Sequence, residues 1–99
     1  MAEIIWTAPA LNDLNEIAEY IAVSNLTAAK NLMQKVFDKI TRLENHPESG
    51  KIPLELQNFN YREIIVNPCR IFYKIDNNQV YILHVMRNER DLRKFLLQG

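Results

Sequence analysis

Five arginines, Arg62, Arg70, Arg87, Arg90 and Arg93, fall within the last 38 residues. Guanidinium is always charged and is bidentate toward phosphate or carboxylate. The cluster therefore reads as a surface for nucleic acid or for an anionic protein partner. A second reading stands beside it. Strands often carry charges at their ends to block edge pairing, and Arg93 has Glu89 four residues back as a helical partner. Other reactive side chains form no such group. Cys69 sits near a strand entrance, whereas His84 falls on the core face in the register derived below, as a hydrogen-bonded core histidine. The two do not make a nucleophile–base pair. His46, before Pro47, reads as a cation at a helix C-terminus. The sequence holds no Gly-rich phosphate loop, HExxH or GxSxG. A single cysteine excludes an internal disulfide and a cysteine-rich zinc cluster. No metal ligand set and no cofactor are expected.

Residues 1–99 have the length of one domain. A composition 47% hydrophobic and 24% charged is that of a folded globular chain and excludes intrinsic disorder. The formal net charge is zero, but residues 1–59 carry five basic against eight acidic side chains. Residues 60–99 carry seven against four. The C-terminal part thus has a cationic excess available to an anionic partner. No apolar run approaches a membrane span, and no signal peptide is visible after Met1. A cytoplasmic protein without membrane partners is expected.

The elements follow from hydrophobic period. Glu3–Trp6 reads as a short strand. Thr7 offers an N-cap hydroxyl, with Pro9 in the first turn. Leu11, Leu14, Ile17, Ala18 and Ile21 then recur at helical spacing to about Val23, with Asn12, Asp13, Asn15, Glu16 and Glu19 on the opposite side. After a turn at Ser24–Thr27, a second stripe runs through Ala29, Leu32, Met33, Val36, Phe37, Ile40 and Leu43. It stops before His46-Pro47. These predict a helical hairpin over roughly residues 8–45. Gly50 is expected at a positive φ. Beyond it the period becomes two: Tyr61–Asn67, Arg70–Ile75 and Val80–Met86 read as strands. Asn77-Asn78 fits a two-residue primed hairpin turn. Asn88 and Asp91 cap a short last helix whose apolar side is Leu92, Phe95 and Leu96. The predicted order is β-α-α-β-β-β-α, a helical hairpin packed on a small antiparallel sheet, in the α+β class.

The turn at Asn77-Asn78 sets a register, and the register sets faces. Ile75 opposes Val80, Tyr73 opposes Ile82 and Ile71 opposes His84 on the face that seats the helices. Lys74 opposes Tyr81, Phe72 opposes Leu83 and Arg70 opposes Val85 on the other face, with Arg87 diagonal to Arg70. That second face combines exposed Phe72, Tyr81 and Leu83 with cations. A patch of this kind is covered either by a partner segment or by the chain's own C-terminal helix.

Several stretches in this order resemble the RelE/ParE superfamily of toxins from bacterial type II toxin–antitoxin systems, over nearly the whole chain. They are Trp6-Thr7 leading into Ala10-x-x-Asp13-Leu14-x-x-Ile17-x-x-Tyr20, and the loop His46-Pro47-Glu48-Ser49-Gly50. Tyr61-Arg62-Glu63-Ile64, Arg70-Ile71-Phe72-Tyr73, and Ile82-Leu83-His84-Val85 with Arg87-x-x-Arg90-Asp91 follow. The element order is also the superfamily's. The resemblance implies a toxin neutralised by a cognate antitoxin that wraps it with a helix or strand.

The superfamily has two branches, and the resemblance implies different chemistry for each. The RelE-like branch cuts mRNA on the ribosome, with basic side chains that stabilise phosphate charge and a late Tyr or His that moves protons. Arg62, Arg70 and Arg87 match its basic positions. No Tyr follows Tyr81 and no His follows His84, and Ile64 stands where lysine is common. The ParE-like branch poisons DNA gyrase without hydrolysis. Its features here are the long helical hairpin and Arg87-x-x-Arg90-Asp91, in place of His-x-x-Arg-Asp. The expectation is ParE-like, with Phe72, Tyr81, Leu83, Arg87, Arg90, Arg93, Lys94 and Phe95 as partner-binding residues. The alternatives are the ribosome-dependent endoribonuclease, with Arg62, Arg70 and Arg87 as catalytic residues, and a non-toxic module that binds only its antitoxin.

Overall fold

A computed structural model describes residues 1–87. Strand β1 spans Glu3–Trp6, helix α1 Ala8–Ser24 and helix α2 Leu26–Thr41. Short 3-10 turns cover Arg42–Glu44 and Leu54–Leu56. Strands β2 (Arg62–Val66), β3 (Cys69–Asp76) and β4 (Gln79–Arg87) complete the order. The expected last helix, with Asn88, Asp91, Leu92 and Leu96, the Glu89–Arg93 pair, and the site residues Arg90, Arg93, Lys94 and Phe95 lie outside the described residues.

Caps begin both helices where the sequence places polar side chains. Thr7 Oγ1 accepts the Ala10 N–H at 3.3 Å, with Pro9 in the first turn. Asn25 Oδ1 accepts the Ala28 N–H at 3.0 Å. Asn25 also ends α1, donating its own N–H to the Ile21 carbonyl at 2.9 Å. One asparagine therefore closes one helix and opens the next, which keeps the hairpin loop to a single residue. From α2 the buried side chains are Ala29, Leu32, Val36 and Ile40, spaced by three and four as one helical stripe. Removal of each large aliphatic among them from water contributes about 1.5–3 kcal/mol. On α1, Leu14 is buried but Leu11, expected in the same stripe, is exposed.

The four strands lie in the order β1-β4-β3-β2. The helices pack on this sheet, as the sequence predicts, but the sheet is mixed rather than wholly antiparallel. β1 runs parallel to β4, with Ile4 beside Val80 and Trp6 beside Ile82. A strand followed by a long helical excursion can return parallel, whereas a tight turn enforces antiparallel pairing. No turn residue in the sequence specifies the partner of β1. Between β3 and β4 the turn does specify it. Asn77 and Asn78 take φ of 50° and 63°, both left-handed, as a primed turn requires.

That register holds for Ile75–Val80, Lys74–Tyr81 and Tyr73–Ile82, and then breaks. A β-bulge makes Phe72 face His84, so Leu83 is the extra residue. Beyond it Ile71 opposes Val85, Arg70 opposes Met86 and Cys69 opposes Arg87. Every residue of β4 past Leu83 has changed face relative to the ideal ladder. Val85 joins Ile71, Tyr73, Val80 and Ile82 in the main core under the helices. His84 leaves that face, contrary to expectation, and Arg87 enters it.

Gly50 is also placed for a different reason from the one expected. Its backbone is not left-handed; it is hemmed in. A Cβ there would stand 2.5 Å from the Tyr73 phenol oxygen and 2.8 Å from the Glu63 carbonyl.

Candidate functional site

The three arginines that the ribonuclease reading would bring together are dispersed. Arg62 pairs across from Tyr73 and so lies on the helix side of β2. Its Nη1 donates to the carbonyls of Glu48 at 3.1 Å and Gly50 at 2.8 Å, tying the loop after α2 to the sheet. Arg87, opposite Cys69, is on the same side of the sheet but at the far end of β4. Its guanidinium lies 5.3 Å from the Tyr20 ring centroid on α1. Arg70 alone is on the other face. The shared face expected for Arg70 and Arg87 is absent because the bulge at Leu83 moves Arg87 to the opposite side.

Arg70 is not an open phosphate receptor. Its Nη1 and Nη2 donate to the two Glu55 carboxylate oxygens at 2.8 and 3.0 Å. Its Nε donates to Glu63 Oε2 at 2.8 Å. The guanidinium also covers the Phe72 ring, 5.0 Å from its centroid. The Glu55 hydrogen bond is the main reason the Arg70 pKa rises still further above its ordinary value; burial opposes it, and Glu63 adds to it. Glu63 is 4% exposed, a buried carboxylate that needs this partner. Neither carboxylate was singled out from the sequence. The signal was available in one place only: Glu63 alternates with Arg62 and Ile64 on a strand whose neighbour carries Arg70 across and two positions along.

The second face is therefore covered by the chain itself over part of its area. Phe72, expected to be exposed, is buried with Leu56 and Met86, and Tyr61 packs against them. The segment carrying Leu54–Leu56 supplies part of this cover. Tyr81 is half-buried, donates its phenol hydrogen to Gln79 Oε1 at 2.6 Å and receives Lys74 Nζ 5.6 Å from its ring centroid. Leu83 is half-buried and, with Pro9, Leu56, Tyr61, Phe72 and His84, lines a mostly apolar cavity of about 380 Å³.

At the rim of that cavity, His84 Nδ1 lies 3.3 Å from Asp13 Oδ2. The same carboxylate oxygen accepts the Val85 N–H at 3.1 Å. A bulge leaves backbone amides in need of acceptors, and Asp13 supplies one from α1. Asp13 is thus turned to the sheet and not to solvent, as its assignment to the polar side of α1 would have it. Ala10, Asp13, Leu14 and Ile17 share one helical stripe, which was the available signal. An imidazole oriented by a carboxylate can exchange protons, but this carboxylate is also committed to the backbone. His84 is a hydrogen-bonded histidine, as expected, although on the face away from the main core. Cys69 is fully buried and has no access to a substrate. Among the described residues, no group of three or more His, Cys, Asp or Glu is arranged to hold a metal ion.

Comparison with known proteins gives one consistent answer. A family model described as the ParE toxin of type II toxin–antitoxin systems, parDE, matches residues 4–92. Toxin RelE2 of Caulobacter vibrioides is 29% identical over 91 residues, covering 91% of this chain and 99% of that protein. Among solved structures, the chromosomal ParDE toxin–antitoxin system of P. aeruginosa contains a chain with a TM-score of 0.76. It is 20% identical, with 90% of this chain and 98% of that one covered. The RelBE2 toxin–antitoxin complex of Mycobacterium tuberculosis contains another, with a TM-score of 0.58 and 19% identity, covering 88% and 98%. These two likenesses are of fold.

Proposed function

This chain belongs to the ParE toxin family of type II toxin–antitoxin systems, and we propose that it arrests growth by binding DNA gyrase rather than by cutting RNA, and that a cognate antitoxin neutralises it. The observation that carries this choice is the state of Arg70. Its guanidinium is already engaged by Glu55 and Glu63 through three hydrogen bonds, while Arg62 and Arg87 stand on the opposite side of the sheet. A ribonuclease needs preorganised cations converging on one scissile phosphate and groups to move protons. The described residues supply no such convergence. Poisoning by binding needs only an anchored surface. The antitoxin partner is supported by the two structural neighbours, both of which are toxin–antitoxin systems.

Purified protein is expected to inhibit supercoiling by gyrase and to increase linearised plasmid in the presence of ATP. Unchanged supercoiling at a large molar excess of folded protein would exclude gyrase. The relative named Toxin RelE2 favours the second reading, a ribosome-dependent endoribonuclease. Primer extension on translating ribosomes separates the two: cuts at A-site codons during toxic expression would establish the second and remove the first. Growth unaffected by soluble, folded protein would remove both and leave a module that only binds an antitoxin.

A further inference from the structure

The loop after α2 is built as a fixed wall. Arg62 holds the carbonyls of Glu48 and Gly50. Ser49 N–H donates to the His46 carbonyl at 3.1 Å. Lys51 and Glu63 exchange both backbone hydrogen bonds, at 3.0 and 2.7 Å. Between this wall and the end of α2 lies a notch of about 490 Å³, within the size range of small-molecule sites. The exposed side chains of Lys39, Arg42 and His46 line one side, and those of Ser49 and Lys51 line the other.

The charges around this notch are not balanced. Among the described residues, the side chains of Lys39, Arg42 and His46 have no hydrogen-bond or ion-pair partner. Glu63 is the one carboxylate among the described residues that line the notch. Its Oε2 is held by Arg70 at 2.8 Å, while Lys51 Nζ stands 3.8 Å from Oε1. Cations at a helix end complement its dipole, which accounts for Lys39 and Arg42 but not for Lys51 across from them. We infer that the notch binds a small molecule ending in a diphosphate group. Arg42 grips one phosphate with its fork, Lys39 and Lys51 close on the charge from opposite walls, and the organic part rests on exposed Ile65. Three permanent cations call for more than the single charge of a carboxylate. A nucleic acid fits less well. No aromatic side chain among the described residues lines the notch to stack a base, and a chain of zero net charge exerts little pull on a polyanion.

The test is titration of the full chain with inorganic pyrophosphate and, in parallel, with a short alkyl diphosphate, followed by amide chemical shifts and by thermal melting. Saturable binding that moves the Lys39, Arg42 and Lys51 amides and raises the melting temperature is the expected result. Affinity should fall at least about tenfold in a Lys39→Gln, Arg42→Gln double variant, and also in Lys51→Gln on the facing wall. All three side chains are exposed, and circular dichroism of the variants monitors their fold. Unchanged affinity in the double variant would overturn the site, and unchanged affinity in Lys51→Gln would overturn its two-walled geometry. The alkyl diphosphate should bind more tightly than pyrophosphate, with the gain lost in Ile65→Ser; equal binding would overturn the seat for an organic part. Sulfate binding as tightly as pyrophosphate would mean an adventitious ion only. Tighter binding of a duplex DNA fragment, lost in the same double variant, would overturn the ligand class. These outcomes are independent of the growth target, which the supercoiling and primer-extension assays decide separately.

Discussion

The phenol oxygen of Tyr73 lies 2.9 Å from the amide nitrogen of Gly50 and accepts its hydrogen. The same phenol donates to the Pro47 carbonyl at 2.7 Å. A fully buried strand residue thereby holds the loop that follows α2, and the loop has room for no side chain at position 50.

Tyr73→Phe is expected to destabilise the fold by about 1–3 kcal/mol, because it strands a buried N–H and a carbonyl at once. Gly50→Ala should cost at least about 2 kcal/mol through the overlap with that phenol. The double variant should cost less than the sum, since removing the hydroxyl relieves the nearest contact. Urea denaturation of the four proteins measures this. Additive losses would show that the two positions are not coupled.

Alkaline stability reports on the same phenol. Burial pushes the Tyr73 pKa above its ordinary value of 10.0, outweighing the Gly50 hydrogen bond and the Arg62 charge, which lower it. A proton held more tightly in the folded state gives stability that is complete below the unfolded pKa. That contribution is lost as pH rises from about 10 toward the folded value. The wild-type melting temperature should therefore fall above about pH 10 more steeply than that of Tyr73→Phe. Parallel slopes would contradict it.

Arg70→Ala removes both hydrogen-bonded partners' cation and leaves Glu63 charged at 4% exposure. A loss of about 3–5 kcal/mol is expected. Pairing it with Glu63→Gln should recover much of that loss, as the buried charge is then gone. Thermal melts of single and double variants distinguish this structural role from a catalytic one. Full toxicity in a soluble Arg70→Ala, Glu63→Gln protein is the expected companion result.

Asp13→Ala should cost about 1–2 kcal/mol by leaving the Val85 N–H without its acceptor. Hydrogen exchange should accelerate at the Val85 amide more than at Val80, which lies before the bulge. Asp13→Asn, with an amide oxygen in place of the carboxylate, should retain most of the protection.

The helices, the Asn77-Asn78 turn and the register next to it were legible because each depends on local chemistry: a cap, a period, a positive φ. The parallel partner of β1 was not, since it lies far along the chain, with Glu3 beside Gln79, and no local turn dictates that pairing. The candidate site was read less well, for a specific reason. Unbroken alternation from the turn dictates every face, and no glycine or proline beside Leu83 announces an extra residue. Arg87, His84 and Arg70 were each assigned surroundings that depend on that one position. Phe72 reads as exposed in the sequence because its cover, around Leu54–Leu56, is a segment without a period to detect.

Leu83 acts on β4 as a single inserted letter acts on a reading frame. Upstream of it the strand is translated into core and surface in one phase, downstream in the other, and both phases give sense: Val80 and Ile82 inward before it, Val85 inward after it. A deletion of Leu83 would therefore restore the plain alternation without inverting it: His84 would follow Ile82 directly and still oppose Phe72, and Val85 would still face the helices. Substitution of Leu83 by another residue leaves the phase untouched. Tolerance at this position should accordingly be broad for the identity of the residue, and its deletion should preserve which residues of β4 face the helices.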